Sequence, residues 1–166
     1  MKAIILAGGR GKRLRPITDK IPKPLIPING KPLIERTIKY LKKYGITEII
    51  ISSGYKSDLI EKFLKNKKNF GCEIIFSNEK TPLGTGGAIK KALKHVDEES
   101  FLVLNGDIVT NIDLKKILRK PNTIAANELK TKFGTMEIKK NKILKFNEKK
   151  DVSDVWMNPG IYHLSK

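Results

Sequence analysis

Cysteine, histidine and long apolar runs are all scarce in this sequence of 166 residues. Its one cysteine, Cys72, cannot form a disulfide within the chain, and with only two histidines it offers no Cys/His spacing of a zinc site. No apolar run approaches the roughly 20 residues that span a bilayer, and the apolar run after Lys2 leads straight into glycine and arginine, unlike a signal peptide. We therefore expect a cytoplasmic protein without disulfides or zinc.

Acidic residues are half as numerous as basic ones, 17 against 34, which leaves a net charge of +17. Such a charge suggests a polyanionic partner, namely a nucleic acid, a membrane surface or a phosphorylated substrate. However, most lysines lie in helix-like stretches such as YLKKYG and IKKALKH, where they would face solvent. No basic run is interleaved with the aromatic residues that bind single strands. We expect neither a nucleic acid nor a membrane as partner.

The first two thirds of the chain alternate apolar strand signals with amphipathic helix signals. Strands that are apolar throughout and separated by helices indicate a parallel sheet covered on both faces. With a hydrophobic share of 39% and enough length for one buried core, the pattern predicts a single α/β domain over residues 1–166. Strands are predicted over 2–7, 47–52, 72–77 and 101–105, and helices over 31–45, 57–66 and 86–96.

The pattern changes after about residue 120, so that the domain divides into an N-terminal stretch (residues 1–120) and a C-terminal stretch (residues 121–166). The C-terminal stretch consists of short extended segments separated by turns, with little helix signal. We expect these segments to add antiparallel or mixed strands to the same sheet and to form its second lip. They are TIAANEL, GTMEIKK, KILKFNE and WMNPGIYHL.

A glycine-rich basic segment, LAGGRGKRLRP (6–16), follows the first predicted strand directly. It is not a P-loop, because Leu6 stands where the first glycine would be and Arg13 follows Lys12 where serine or threonine is required. It also fails the dinucleotide fingerprint, which needs a glycine at the position of Leu14 and an acidic residue at the end of the second strand.

Two interpretations of this segment remain open at this level. In one, the backbone N–H groups of a looser glycine turn wrap a triphosphate while arginine and lysine neutralise its charge. In the other, the segment is an exposed turn with scattered cations. The second does not explain why glycines and cations crowd together directly after a buried strand, which is where ligands bind in open α/β sheets.

The segment LAGGRGKRLRPIT (6–18) resembles the first signature of the sugar-1-phosphate nucleotidyltransferases, and six further segments match that family in its order. The resemblance covers nearly the whole chain and is closest to the branch of the mannose- and heptose-1-phosphate guanylyltransferases. Seven ordered matches are specific, although each alone would be weak. The other six segments are PKPLIPINGKPLIE (22–35), PLGTGGAI (82–89), VLNGD (103–107), FGTMEI (133–138), FNEKK (146–150) and NPGIY (158–162).

The resemblance implies a Rossmann-like three-layer fold and transfer of a nucleotidyl group from an NTP to a sugar 1-phosphate, with Mg²⁺ as cofactor. Residues 1–120 would then bind the NTP, and the strands of 121–166 would bind the sugar phosphate. By the same resemblance Arg13 and Lys23 are the catalytic residues, and Asp107 binds the metal. The nucleotide-binding residues would be Leu6, Ala7, Gly8, Gly9, Gly11, Gly84, Thr85 and Gly86. The sugar-phosphate contacts would be Gly134, Glu148, Lys149, Asn158 and Gly160.

The chain departs from the family pattern at its end. The family places a second metal-binding aspartate well after the NPGIY-like motif, whereas this sequence ends at Lys166. The sequence therefore fits a shortened chain, a minimal member that completes its metal site with water and substrate phosphates, or a relative that binds nucleotide or sugar without catalysis. A related acceptor, such as phosphocholine or inositol phosphate, also stays open. The base, the sugar and the formation of homo-oligomers are left open as well.

Overall fold

The central sheet is seen in a computed structural model that describes residues 1–129, 134–147 and 155–166. Its six strands lie in the order β5-β4-β1-β6-β12-β7. The first four are β1 (Ala3–Ala7), β4 (Glu48–Ser53), β5 (Glu73–Asn78) and β6 (Ser100–Asn105), and they run parallel. Antiparallel strands β12 (Ile161–Ser165) and β7 (Thr123–Ile124) extend the sheet beyond β6.

The helices described are short and mostly connect the parallel strands. They are α1 (Ile17–Lys20), α2 (Leu33–Lys43), α3 (Ser57–Asn66), α4 (Gly84–Ala92) and α5 (Leu114–Ile117). Short 3-10 turns lie at Lys12–Leu14, Lys23–Leu25, Lys68–Gly71 and Leu93–His95, and a small hairpin pairs β2 (Pro27–Ile28) with β3 (Lys31–Pro32). None of the helices in the described part of the chain combines the length and the apolar character that a membrane span requires.

The parallel strands are buried because they carry apolar side chains on both faces of the sheet, and helices pack against these side chains. Ile4, Ile50 and Phe101 pack in one cluster with Ala92 of α4, and all four are at most 1% exposed. Ile5 and Ile51 are likewise fully buried, as are Ile34, Ile38 and Leu41 along one side of α2. The predicted parallel sheet with helical cover is thus confirmed.

The order of the parallel strands creates a point at which the chain reverses its direction of growth across the sheet. From β1 the chain adds β4 and then β5 on one side, and it then crosses to place β6 on the other side of β1. Ligands of open α/β sheets bind outside the carboxyl ends of the strands at such a point. Here those ends are Ala7 of β1 and Asn105 of β6, which lie on neighbouring strands.

The chain forms two compact units, one comprising 1–124 with 160–166 and the other 125–159. In the second unit β9 (Thr135–Lys139) pairs with β10 (Lys142–Asn147), and β8 (Asn127–Glu128) pairs with β11 (Trp156–Met157). The addition of antiparallel strands by the last third is confirmed for β7 and β12. The expectation that all the extended segments join the same sheet is wrong, because these two pairs form separate two-stranded sheets.

Candidate functional site

A cleft of about 350 Å³ opens at the carboxyl ends of the parallel strands in the first unit. Leu6 and Ala7 of β1, Ser52 of β4 and Asn105 of β6 all line it. The first residues of α4 complete the wall, so that the cleft lies at the reversal point of the sheet. Its full lining is Leu6, Ala7, Gly8, Gly9, Lys23, Pro24, Ser52, Glu79, Pro82, Gly84, Thr85, Ala88, Asn105, Gly106 and Asp107.

Lys23 enters this cleft from a rigid turn. It begins the 3-10 turn Lys23–Leu25 and stands between Pro22 and Pro24, whose rings fix their φ angles. The amide of Leu25 donates to the carbonyl of Pro22 over 2.9 Å, which closes the turn. The Lys23 ammonium donates a hydrogen bond to the Asp107 carboxylate, and both side chains are about one third exposed. The predicted catalytic lysine and the predicted metal ligand therefore meet in the cleft.

The position of Asp107 depends on the close approach of two strand ends. The amide of Gly106 donates to the carbonyl of Leu6 over 2.8 Å, which ties the end of β6 to β1. A Cβ atom at position 106 would lie 2.8 Å from that same carbonyl oxygen. Only glycine fits this position without a shift of the backbone, so Gly106 allows Asp107 to follow the sheet edge into the cleft.

Glu79 lines the same cleft and was missed by sequence reasoning. It follows the last residue of β5, and its carboxylate accepts hydrogen bonds from Ser52 Oγ and from the amide of Leu83, each over 3.1 Å. A Cβ atom on Gly8 would lie 3.3 Å from Glu79 Oε1, so this glycine leaves the carboxylate its space. The signal was available, because the ends of all four parallel strands meet at one edge, yet no site residue was predicted at the end of β5.

Eight of the predicted site residues converge on the cleft. Lys23 and Asp107 lie together as an ion pair, and six of the eight predicted nucleotide-binding residues line the wall. These six are Leu6, Ala7, Gly8, Gly9, Gly84 and Thr85.

The structure places Arg13, Gly11 and Gly86 outside the residues that line the cleft. Arg13 lies on the exposed turn Lys12–Leu14, so its assignment as a catalytic residue stays a prediction. Gly11 has a φ of +62°, and its carbonyl accepts a hydrogen bond from Thr18 Oγ1 over 3.0 Å. Its glycine identity is therefore explained by a left-handed turn conformation.

The predicted sugar-phosphate residues are distributed over both units. Gly160 belongs to the first unit, where its carbonyl accepts from the amide of Asn105 over 2.9 Å. Gly134 and Asn158 belong to the second unit. Glu148 and Lys149 lie outside the described residues.

The donor set at Asp107 fits a magnesium ion shared with phosphates. Its carboxylate is 36% exposed and faces the cleft, and no group of three or more His, Cys, Asp or Glu residues that could hold a metal occurs among the residues described. Mg²⁺ in phosphate-transferring sites is commonly held by one or two carboxylates with water and substrate oxygens, so a single aspartate at the cleft is compatible with it. It is incompatible with a closed metal cage made only of protein ligands.

Comparison with known proteins points to one family over the whole chain. The sequence model described as nucleotidyl transferase matches residues 2–166. The chain is 43% identical over 171 residues to the D-glycero-alpha-D-manno-heptose 1-phosphate guanylyltransferase of Campylobacter jejuni, covering 100% of this chain and 76% of that protein. It is 39% identical over 174 residues to the enzyme of the same name from Aneurinibacillus thermoaerophilus, covering 100% of this chain and 75% of that protein.

A solved structure shows the same fold. The crystal structure of HddC from Yersinia pseudotuberculosis, complexed with GMP-PN, superposes with a TM-score of 0.76 at 35% identity. The superposition covers 99% of this chain and 76% of HddC.

Proposed function

The chain belongs to the nucleotidyl transferase family, and we propose that it transfers a guanylyl group from GTP to a sugar 1-phosphate of the heptose type. The products are a GDP-sugar and pyrophosphate. The observation that carries the proposal is the pairing of Lys23 with Asp107 beside a glycine-lined wall at the reversal point of the sheet. The guanylyltransferase relatives support the choice of base and acceptor.

The reaction requires positioning and charge neutralisation more than activation of a nucleophile. The phosphate of a sugar 1-phosphate is already an anion near neutral pH, and its oxygen attacks the α-phosphorus of the NTP while pyrophosphate leaves. Catalysis of such a step comes from in-line alignment and from fixed positive charge near the reacting phosphates. The cleft offers both, through its glycine backbone and through Lys23.

Lys23 contacts the α-phosphate or the incoming sugar phosphate in this proposal. The two prolines that flank it preorganise its approach, so that little conformational entropy is lost when it moves from Asp107 to a phosphate oxygen. In the same proposal Arg13, which lies on the turn Lys12–Leu14, provides positive charge for the leaving pyrophosphate.

Asp107 is the residue that would hold Mg²⁺. When bound, the ion supplies positive charge to the phosphate oxygens. The ammonium of Lys23, which pairs with this carboxylate, adds a second positive charge beside it.

The acceptor is assigned to the segment 125–159 and to Gly160. Within this segment Gly134 and Asn158 carry over as sugar-phosphate contacts, together with Glu148 and Lys149 beyond the described residues. This assignment divides the predicted roles along the sequence, with residues 1–120 for the donor and residues 121–166 for the acceptor.

Pyrophosphate release tests the proposal directly. The four common NTPs are crossed with heptose, mannose, glucose and N-acetylglucosamine 1-phosphates in the presence of Mg²⁺. We expect turnover with GTP and a heptose 1-phosphate, and a fall in kcat/KM of about 10²–10³-fold in Lys23→Ala, because a preorganised charged donor is lost. Lys65→Ala is the matched control, since Lys65 is 70% exposed and pairs with Glu61 on α3.

Two results would contradict different parts of the proposal. Retention of wild-type turnover in Lys23→Ala would contradict the role given to Lys23. GTP binding without turnover for any acceptor would contradict catalysis and leave a nucleotide-binding relative.

A further inference from the structure

The residues that follow β4 contact the glycine-rich basic segment from the neighbouring strand end. Strand β4 pairs with β1 up to Ser53 and Ala7, so the residues after the two strands lie side by side. The amide of Tyr55 donates to the carbonyl of Gly8 over 3.5 Å, and its hydroxyl donates to the carbonyl of Thr18 over 3.1 Å. Tyr55 thus contacts the chain both near the start of the segment and just beyond its end.

Thr18 connects this contact to the turn that carries Arg13. Thr18 is 1% exposed, whereas the six residues before it are all exposed. Its Oγ1 donates to the carbonyl of Gly11 over 3.0 Å, and the same carbonyl accepts from the amide of Leu14 over 2.9 Å. The second of these hydrogen bonds closes the 3-10 turn of Arg13. A chain of hydrogen bonds therefore connects Tyr55 to that turn.

Lys56 holds the same part of the chain through α1, which directly follows Pro16 at the end of the segment. Its ammonium donates to the carbonyls of Asp19 and Lys20, the latter over 2.9 Å. These carbonyls belong to the last residues of α1, for which a helix offers no partner of its own. Lys56 therefore caps the end of α1 and fixes the chain just beyond the basic segment.

Lys56 makes these contacts from a backbone conformation that lysine seldom adopts. Its φ is +53°, in the left-handed region that is unfavourable for a residue with a side chain and favourable for glycine. Such conformations persist where the surrounding structure maintains them, and they cluster at functional sites. A glycine at this position would relieve the backbone and would leave both carbonyls of α1 without the ammonium. One substitution therefore separates the contact of the side chain from the cost of the backbone.

The glycine-rich basic segment needs such contacts because its own charges oppose a fixed position. It carries four cations within residues 10–15, and like charges this close repel one another. The guanidinium of Arg10 lies 6.0 Å from the centre of the Tyr55 ring, which is within reach of a cation–π interaction. The contacts of Tyr55 and Lys56 use carbonyl oxygens and an aromatic ring, so they gather the cations without neutralising them.

We propose that Tyr55 and Lys56 are positioning residues for the transfer reaction, because they hold the glycine-rich basic segment where Arg13 meets the triphosphate. The segment starts at the wall of the cleft, which includes Gly8 and Gly9. Neither Tyr55 nor Lys56 touches the substrate in this proposal, and both act through the turn that carries Arg13. The inference rests on the proposed function, because it assumes an NTP in the cleft and a role for Arg13 at its phosphates.

Lys56→Gly tests this role, because it removes the ammonium and relieves the left-handed backbone together. Pyrophosphate release is measured with the NTP and the sugar 1-phosphate that the wild-type protein turns over. We expect kcat/KM for the NTP to fall about 10- to 100-fold, since a misplacement of about 1 Å costs up to about 100-fold. KM for the sugar phosphate should stay at its wild-type value. Tm should not fall, because the relieved conformation offsets the lost hydrogen bonds.

Lys68→Gly is the matched control. Lys68 is exposed on the turn after α3 and has a φ of +49°, so the substitution removes a lysine from the same backbone conformation elsewhere in the chain. It should leave kcat/KM unchanged. Lys56→Arg, whose guanidinium can still donate to both carbonyls of α1, should keep kcat/KM within about threefold of the wild-type value.

A double-mutant cycle with Arg13→Ala distinguishes positioning from a general loss of order. If Lys56 acts through the turn of Arg13, the double variant should have a kcat/KM within about threefold of that of Arg13→Ala alone, because the group to be positioned is gone. Independent effects would instead multiply. Tyr55→Phe, which loses only the hydroxyl bonded to Thr18, gives a second test, with an expected fall of about 3- to 10-fold.

The results that overturn the inference differ from those that overturn the proposed function. Wild-type kcat/KM in either Lys56→Gly or Tyr55→Phe would overturn the inference, and so would losses that multiply in the double variant. A Tm of Lys56→Gly far below the wild-type value, with KM raised for both substrates, would show a structural role and overturn it as well. In each case the proposed function would stand. A wild-type protein that turns over no pair of NTP and sugar 1-phosphate would overturn the proposed function and this inference with it.

Discussion

Lys2 lies among three carboxylates that join the start of β1 to two distant segments. Its ammonium is 2.7 Å from Asp97 Oδ2 and 3.9 Å from both Glu98 Oε2 and Glu48 Oε2. The hydrogen bond from Lys2 lowers the pKa of the Asp97 carboxyl group, and the same bond raises the pKa of Lys2. This pair should therefore give the stability of the protein a defined dependence on pH.

The pH dependence follows from the signs of the two shifts. Because the folded pKa of Asp97 is lowered, its contribution is complete above the unfolded value of about 3.9 and is lost as the pH falls through the folded value. Because the folded pKa of Lys2 is raised, its contribution is complete below about 10.4 and is lost as the pH rises through the folded value. Lys2→Met should thus lower Tm by an amount that is constant near neutral pH and shrinks at both extremes.

Thermal unfolding across pH measures this difference. Lys94→Met, which removes an exposed lysine elsewhere, should show no such shape. A Tm difference between wild type and Lys2→Met that persists unchanged in strong acid would contradict the ion pair as its cause.

At the scale of the elements, the end of β6 tolerates no side chain at position 106. In Gly106→Ala the new Cβ would lie 2.8 Å from a backbone oxygen of β1 and 3.3 Å from Ile5 Cγ2. We expect a loss of about 1–3 kcal/mol in the free energy of unfolding, the usual cost of overpacking. Urea unfolding measures it, with Gly9→Ala as the control.

Gly9 belongs to the same cleft, but a Cβ there would meet nothing within 4 Å. Its substitution should change stability by less than about 0.5 kcal/mol. Equal losses in the two variants would contradict the steric explanation.

Periodicity predicted the elements that bury their apolar residues. Helix α3 has the predicted bounds 57–66, and the buried strand β4 lies within one residue of the prediction. The partners of the later strands could not be predicted in the same way. Strand β9 is mostly exposed, so no buried face fixes its partner, and α5 spans only four residues, too few to show a period.

The candidate site was predictable where a residue belongs to a motif of the family. Lys23 and Asp107 were predicted and meet in the cleft. Glu79 was not predicted, because it lies outside the matched motifs, although it directly follows β5, which was predicted as a strand. Arg13 is the opposite case. A motif assigns it a catalytic role, but it is not among the residues that line the cleft.

At the scale of the whole molecule, the segment 125–159 is an insertion between two paired strands. It follows the last residue of β7, Ile124, and precedes β12 in the sequence. These two strands are antiparallel neighbours, and Ile124 lies opposite Tyr162. Replacement of 125–159 by a short glycine-containing turn should therefore leave the first unit able to fold.

We expect the shortened chain to bind GTP with an affinity close to that of the whole chain and to catalyse no transfer. Calorimetry and pyrophosphate release measure the two properties separately, with the intact chain as reference. Loss of GTP binding in a shortened chain that still unfolds cooperatively would contradict the assignment of the donor to the first unit.

The pairing of β7 with β12 also bears on how chains of this kind diverge. A segment whose two ends are neighbours can lengthen, shorten or be replaced through recombination while the sheet that holds the donor site keeps its register. Under the proposed assignment, selection for a new acceptor would act on the insertion, and selection for a new donor would act on residues that line the cleft. The preference for a donor and the preference for an acceptor could then change independently of each other during evolution.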